Sequence, residues 1–459
     1  MPELDYKQYI CGLKEFFSRT KTTPKAMIVT YGCQQNISDS EIIKGMLKQS
    51  GYEFCDSYDK ADLVVFNTCA VREHAELRVY GNIGALKPVK KQRPNLKIAV
   101  CGCMMQQEQV QKQIKQKYRH VDMVFGPSLI YRFPEMLYKS ITENIRIFDR
   151  SEHPEIVEGL PVQRADNNKA WVTVMYGCNN FCTYCIVPYL RGRERSRDPQ
   201  NIINEVKELI SCGYKDITLL GQNVNSYGKD LEMDYDFADL LKDLNDLEGD
   251  FWLRFVTSHP KDCTKKLIDT MAVCDKVCKQ LHLPFQSGSD RVLKAMNRNY
   301  TFDQYVSLTD YVREKMPDIV LTGDVIVGFP GETDDEFEDT VRLVKRVEFD
   351  NLFTFIYSKR SGTPAAIMDN QIDDAVKSWR FDRLLSVLHP ISKKKNDAYF
   401  GKIVKVFVEG ESKTDSNVLC GKTEGGKTVD FMADKSLIGS FVNVRIIECK
   451  TWNLIGELI

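Results

Sequence analysis

From Lys25 to Tyr357, short apolar runs rich in β-branched and aromatic residues alternate with amphipathic stretches of helical period. This alternation most narrows the folds open to the chain. Strands that follow one another through helices pair in parallel, so the pattern predicts multidomain α/β architecture. It falls into two series. In the first, strands are expected at 26–31, 63–67, 96–101 and 122–125, with helices at 38–49, 71–91 and 106–117; Ser38 or Asp39 is the expected cap of the first helix. This is an open parallel α/β sheet. In the second, strands are expected at 171–176, 217–220, 252–257, 280–283, 320–327 and 352–357. Six such units are too few for an eight-fold barrel and suit a partial (β/α)6 barrel.

A helix expected at 380–395 ends in Lys393-Lys-Lys395, and the period then changes. Short strands at 402–409, 418–421, 428–431, 441–448 and 454–458, separated by glycine turns, fit a small OB-like β-barrel, a scaffold that often binds RNA. The organisation that follows is a helical preface (1–22), a first domain (23–148), a polar linker without periodicity (149–168), a central domain (169–394) and the terminal barrel (395–459).

Composition excludes some functions. With 63 Lys plus Arg against 64 Asp plus Glu, any nucleic acid must be held by local patches and not by bulk charge. The terminal barrel itself carries 8 basic against 9 acidic residues over 397–459. The start of the chain lacks the basic and apolar segments of a signal peptide, and no run approaches the length of a membrane span, so a cytoplasmic protein is expected. In that compartment fifteen cysteines point to metal ligation before disulfides.

The cysteines are not scattered. Cys178, Cys182 and Cys185 have C-x3-C-x2-C spacing on a loop after the run Trp171–Met175. A 4Fe-4S cube takes one thiolate per iron, so three cysteines leave one iron open. An open iron is what chelation and reductive cleavage of S-adenosylmethionine need. A structural zinc site is the alternative, but zinc usually closes four ligands in C-x2-C pairs. Cys33, Cys69 and Cys103 each lie just past the carboxyl end of an expected strand, some 35 residues apart. Such ends converge on one edge of an open sheet, where ligands bind. The three can hold a second cluster with an open iron; singly, each reads as a buried thiol. Cys101, expected to face the same way as Cys103, precedes the glycine turn, and Cys103 is preferred. Cys212, Cys263, Cys274 and Cys278 are assigned to packing.

Polar or glycine-rich segments follow four strands of the second series: Gly221–Asn225, Thr257–Pro260, Pro284–Ser289 and Val327–Glu332. Together they suit a nucleoside-like ligand. His259 and His282 stand at strand ends near this face or are hydrogen-bonded inside. Arg191, Arg193, Arg195 and Arg197 make the strongest basic run; they fit RNA phosphates or a carboxylate of the cofactor, or else a solvated loop paired with Glu194 and Asp198.

C-x3-C-x2-C with an aromatic before the last cysteine resembles the signature of the radical SAM superfamily. Over nearly its whole length the chain resembles the methylthiotransferases of that superfamily, with an N-terminal cluster domain, a radical SAM barrel and a TRAM domain. Within them it is most similar to the MiaB family, on Thr30-Tyr-Gly-Cys-Gln, Asn67-Thr-Cys-Ala-Val-Arg-Glu-His-Ala-Glu, Tyr189-Leu-Arg-Gly-Arg-Glu-Arg-Ser-Arg, Gly221-Gln-Asn-Val-Asn-Ser-Tyr-Gly and His282-Leu-Pro-Phe-Gln-Ser-Gly-Ser-Asp. Gln35, where the family often has Met, and the nearly neutral net charge of the terminal barrel depart from the pattern; neither removes a ligand.

The resemblance implies methylthiolation of carbon 2 of N6-isopentenyladenosine at tRNA position 37, next to the anticodon. One S-adenosylmethionine gives the methyl group and a second gives the radical that removes the ring hydrogen. It implies two 4Fe-4S clusters, one on Cys178, Cys182 and Cys185 and an auxiliary one on Cys33, Cys69 and Cys103, and no catalytic residue beyond these ligands. Tyr184 would lie by the adenine, with Gln222, Asn223, Gln286 and Asp324 as candidates for holding the cofactor. The expected partners are tRNA, an electron donor such as flavodoxin or ferredoxin and a sulfur source; no membrane is expected, and the protein would be a monomer. A sibling acting on N6-threonylcarbamoyladenosine stays open, as does a non-catalytic iron-sulfur protein that binds RNA or regulates.

Overall fold

A computed structural model describes residues 6–70, 73–151, 154–413 and 415–459, the side chains of residues 73–75 excepted. They form two compact units. One comprises the chain up to Ala165 with Tyr176–Cys178 and Ile186–Arg195; the other comprises Asp166–Met175, Asn179–Cys185 and Ser196–Ile459.

In the first unit six parallel strands lie in the order Glu53–Phe54, Lys25–Thr30, Leu63–Thr68, Lys97–Gly102, Met123–Phe125 and Ile147–Asp149. Every residue of Leu63–Thr68 and Lys97–Gly102 is buried, as strands covered on both faces must be. Alternate side chains feed two cores. Leu63, Val65, Ala99 and Met123 pack with the helices Tyr6–Thr20, Gln34–Gln49 and Phe133–Thr142, while Val64, Phe66, Ile98 and Val100 pack with Val79, Ile83 and Leu86 of Glu73–Gln92.

Several details differ from expectation. The first helix after a strand begins at Gln34, with Cys33 at its N-cap, so Ser38 and Asp39 are buried interior residues and neither is a cap. The edge strands Glu53–Phe54 and Ile147–Asp149 were not expected, being too short to carry a period. Nor was helix Phe133–Thr142. The expected helix start at Val71, the Val71-Arg72 part of the second motif, the first five residues and His153 lie outside the described residues. The polar stretch before Ala165 lies along helix Gln34–Gln49: Gln163 N donates to Glu41 O at 2.9 Å, and a Cβ on Gly45 would collide with Pro161 O.

The second unit contains two three-stranded parallel sheets, ordered Trp252–Phe255, Asp216–Leu220, Lys169–Thr173 and Gln280–His282, Val320–Val327, Asn351–Ile356. A parallel bridge between Leu253 and Val277 joins them into the expected partial barrel, with one continuous core from Ala170 to Leu388. The helix expected to start at 380 begins at Asp374 and runs to Asp397. Beyond it, Ile403–Glu411, Val418–Thr423, Thr428–Met432, Asn453–Leu458 and Phe441–Cys449 close a five-stranded barrel in that order around Val406, Leu419, Phe431 and Leu454. The small barrel is fastened to the partial barrel by Arg254, whose guanidinium donates to Thr423 O (3.0 Å) and Glu424 O (2.7 Å) while its Nε pairs with Asp216 (3.0 Å). Trp252 and Phe441 pack beside it, ring centroids 4.6 Å apart. No described helix is long and apolar enough to cross a membrane.

Candidate functional site

In the first unit, Cys33, Cys69 and Cys103 gather at the carboxyl ends of adjacent strands. Backbone geometry brings them close. Gly32 (φ +113°) lets the Cys33 turn pass over Cys69, where a Cβ would sit 2.5 Å from Cys69 Cβ and 3.0 Å from its Sγ. Gly102 (φ +96°) does the same before Cys103, against Asn67 and Thr68. Both turns use a region that favours glycine. The Gly102 turn also ends the strand alternation: Cys101 faces the core of Ala99 and Phe125, whereas Cys103 joins the opposite side with Val100 and Met104. The two cysteines therefore do not face the same way, contrary to their spacing on a regular strand.

Around the trio is a buried polar lattice. Asn36 Nδ2 donates to Thr68 O (2.9 Å) and Asn67 Oδ1 (3.2 Å), Asn67 Nδ2 donates to Ser40 Oγ (2.9 Å), and Cys33 Sγ lies 3.5 Å from Asn36 Oδ1. Arg191, only 8% exposed, sends Nε to Cys103 Sγ at 3.1 Å and Nη2 to Asp39 Oδ2 at 2.8 Å. Burial pushes the Cys103 thiol up to about 12, with the Arg191 charge opposing and the nearby Cys69, Cys33 and Asp39 adding to the rise. The donor set suits an iron-sulfur cluster: three soft sulfurs, none in a disulfide, at the ends of adjacent strands, with Cys69 and Cys103 buried and Cys33 exposed.

Cys178 also belongs to this unit; its amide donates to Gly192 O at 3.1 Å, and Gly177 (φ +78°) has no room for a Cβ beside Arg193 O.

In the second unit, Cys182 and Cys185 stand on a turn closed by Cys185 N donating to Cys182 O at 2.9 Å. Arg298, buried, gathers this turn and the strand-end loops: Nη1 reaches Tyr184 Oη (3.1 Å) and Cys182 Sγ (3.8 Å), Nη2 reaches Pro284 O (2.6 Å), and Nε reaches Tyr300 Oη (2.7 Å). Burial holds the Tyr184 hydroxyl well above its usual range, so it stays protonated. The ring of Tyr300 meets His259 edge-on at 5.7 Å, and His259 N and O bond the Asn225 side chain. Burial, with Arg298 and two lysines, drives His259 down to about 2; it is a neutral group whose Nδ1 accepts from Lys261 N.

Of the expected cofactor residues, Gln286 and Asp324 are neighbours, Gln286 N donating to Asp324 O at 2.9 Å, and Asp324 also pairs with His282 at 3.4 Å. Asn223 is buried and donates to Asp262 at 2.8 Å. Gln222 is half-buried on the same loop. Thr257 (φ +70°) and Gln286 (φ +67°) hold left-handed backbone at two strand ends, a strain that persists where surrounding structure enforces it for a site. Asn223 Oδ1, Ser258 Oγ, His259 Nε2 and Gln286 Oε1 are buried acceptors or donors with no partner among the described residues. Buried polar atoms are normally satisfied, so these four fit a polar ligand such as S-adenosylmethionine.

The arginine run does not form one basic surface. Arg191 is buried as described. Arg197 is buried too, its Nη1 on Thr173 O (2.6 Å) and Glu205 (2.9 Å). Arg193 is exposed and Arg195 half-buried. Cys263, Cys274 and Cys278 are packed as expected, but Cys212 is exposed at a helix C-cap. Sequence reasoning missed Arg298, Asn36 and the pairing of Asp39. Arg298 stands alone in a polar loop, and its partners on the cysteine turn, Cys182 and Tyr184, lie far away in the chain; for Asn36 and Asp39 the signal was the run of polar residues on a helix facing a sheet.

The site and fold define a class. The Radical SAM superfamily profile matches residues 172–344, with the profiles "Uncharacterized protein family UPF0004" at 25–126 and the TRAM domain at 397–459. Among solved structures, the radical S-adenosylmethionine methyltransferase TsrM from Kitasatospora setae, solved with cobalamin and a [4Fe-4S] cluster, shares the fold, with a TM-score of 0.53 at 14% identity, covering 75% of this chain and 77% of that one. The family is narrower. The tRNA-2-methylthio-N(6)-dimethylallyladenosine synthase of Alkaliphilus oremlandii is 57% identical over 95% of this chain and 93% of its own length, and that of Acetivibrio thermocellus is 52% identical over 99% and 95%. The chain belongs to this family, the radical SAM tRNA methylthiotransferases.

Proposed function

We propose that the protein inserts a methylthio group at carbon 2 of N6-isopentenyladenosine beside the tRNA anticodon, with Cys178, Cys182 and Cys185 holding one 4Fe-4S cluster and Cys33, Cys69 and Cys103 a second. When bound, the first cluster supplies the electron that cleaves S-adenosylmethionine and the second presents the sulfur to be inserted. An aromatic C–H offers no acidic proton to a general base, so the chain's part is to bind, orient and keep water away. The gathering of Cys33, Cys69 and Cys103 beneath glycine turns carries this reading, because a cofactor-cleaving site alone would not need it.

Tyr184, fixed by Arg298, offers a face to the adenine of the cofactor; Asn223 and Gln286 offer unpaired polar atoms to its ribose or amino acid end. Phe353, 53% exposed, and Phe355, 49% exposed, share one strand face, and Phe353 meets the His282 ring at 5.7 Å beside Asp324. An apolar wall next to a carboxylate suits an isopentenyl group and opposes the carboxylate of a threonylcarbamoyl group. Exposed Arg193 is the contact for RNA phosphate that the run retains.

The test is nucleoside mass spectrometry of tRNA incubated anaerobically with reconstituted protein, reductant, sulfide and S-adenosylmethionine. A methylthio group on isopentenyladenosine supports the reading; one on threonylcarbamoyladenosine overturns the substrate, and cleaved cofactor without product overturns the sulfur-transfer role. Changing Cys178, Cys182 and Cys185 to Ala should abolish 5′-deoxyadenosine formation and leave about four irons. Changing Cys33, Cys69 and Cys103 should spare cofactor cleavage and stop sulfur insertion.

A further inference from the structure

Arg191 lies in a basic run, yet its guanidinium is turned inward at the end of the short helix Val187–Arg191. It is engaged on two sides, by Cys103 Sγ at 3.1 Å and by Asp39 Oδ2 at 2.8 Å, with Asn36 Oδ1 at 3.5 Å. Asp39 is itself 3% exposed and also accepts from Gln35 at 3.2 Å, so the carboxylate fixes the direction of the fork. A buried cation in such a place cannot offer its charge to phosphate.

The reduction potential of an iron-sulfur centre follows its net charge, its solvent exposure and the hydrogen bonds to its sulfurs. An N–H aimed at a ligand sulfur draws electron density from the thiolate. A full positive charge at that distance, in a water-poor site, favours the state with one more electron. Asp39, one bond further out, opposes this in part.

We propose that Arg191, held by Asp39, is a positioning residue that raises the reduction potential of the auxiliary cluster through its bond to Cys103. The proposal rests on the reading of Cys33, Cys69 and Cys103 as ligands. The same charge favours an anionic sulfur ligand at the site over a neutral one, which suits a centre that must keep sulfide until it is used.

The test uses full-length protein in which Cys178, Cys182 and Cys185 are changed to Ala, so that one cluster remains after reconstitution, and reads its midpoint potential by redox titration followed by electron paramagnetic resonance. Arg191→Gln should move the potential negative and Asp39→Asn should move it positive, while Arg191→Lys, which keeps the charge without the fork, should fall between Arg191→Gln and the parent. A scaffolding role would shift neither potential or would shift both the same way, and either result overturns the proposal. If Arg191→Gln fails to retain iron, the signs for Asp39→Asn and Arg191→Lys decide. Iron content separates the two readings: if Cys103→Ala keeps its full iron, the ligand assignment fails and the proposal falls with it; if iron is lost there but the Arg191 and Asp39 variants leave the potential unmoved, only the proposal fails.

Discussion

Arg298 shows how one side chain can carry a site. Its five N–H groups serve Tyr184, Tyr300, Pro284 O and Cys182, and nothing else in the described contacts ties the cysteine turn to the strand-end loop 284–286 so directly. Replacing it with Gln leaves buried acceptors unmet, which costs about 2 kcal/mol. The expected outcome is a lower urea midpoint together with loss of cofactor cleavage at unchanged iron content; Arg298→Lys should recover part of the midpoint. Little of this was readable beforehand. The cysteines were legible because thiols at strand ends recur at fixed spacing, whereas Arg298 owes its role to partners more than a hundred residues away at Cys182 and Tyr184. Arg191 misled in the opposite sense, since composition shows a charge but not that a helical turn points it inward.

At the scale of elements, two helices make separate claims. Asp334–Val347 begins with a capping box in which Thr333 Oγ1 accepts from Glu336 N and the Glu336 side chain accepts from Thr333 N. Arg291 also bonds this carboxylate, and chiefly for that reason Glu336 is held at about 2, below the ordinary 4.5. A depressed folded value means that the ionised form is favoured by the fold, so the stabilisation is present above about pH 4.5 and is lost as pH falls toward 2. Glu336→Gln should therefore be less stable than the parent at neutral pH, with the gap in urea midpoint closing over that window. Helix Gln34–Gln49 makes the second claim. Gly45→Ala would gain about 1 kcal/mol of helix propensity, yet its methyl group would run into the backbone at Pro161, and overpacking against a segment that cannot yield costs about 1–3 kcal/mol. The clash should win, and the midpoint should fall. Long periodic elements such as Val320–Val327 were legible in the sequence; the start of Gln34–Gln49 was not, because its buried polar residues mask the apolar stripe by which a helix is read.

For the molecule as a whole, Arg254 is one of several ties that hold the terminal barrel, beside the buried Lys427–Asp350 pair at 2.8 Å and the Lys169–Glu409 pair at 3.0 Å. Arg254 reaches Asp216 within the partial barrel and two carbonyls of the small barrel, and Glu424 Oε1 accepts from Lys279 N at 3.1 Å nearby. Arg254→Met would strand Asp216 without its partner, and breaking a buried pair in this way costs about 3–5 kcal/mol. Thermal unfolding should then show the small barrel melting apart from the rest, as an early transition absent from the parent. The fold classes of all three regions followed from periodicity, but this fastening did not, since a lone Arg in a strand carries no sign of what it will meet.

The six-stranded sheet ends on one side in a strand of two residues, Glu53–Phe54, and on the other in one of three, Ile147–Asp149. A sheet margin with a long row of vacant amides is a template on which further molecules can polymerise. Margins this short present too few hydrogen-bonding groups to recruit a second chain, and the protein can keep an open, unclosed sheet in crowded surroundings without seeding fibrils.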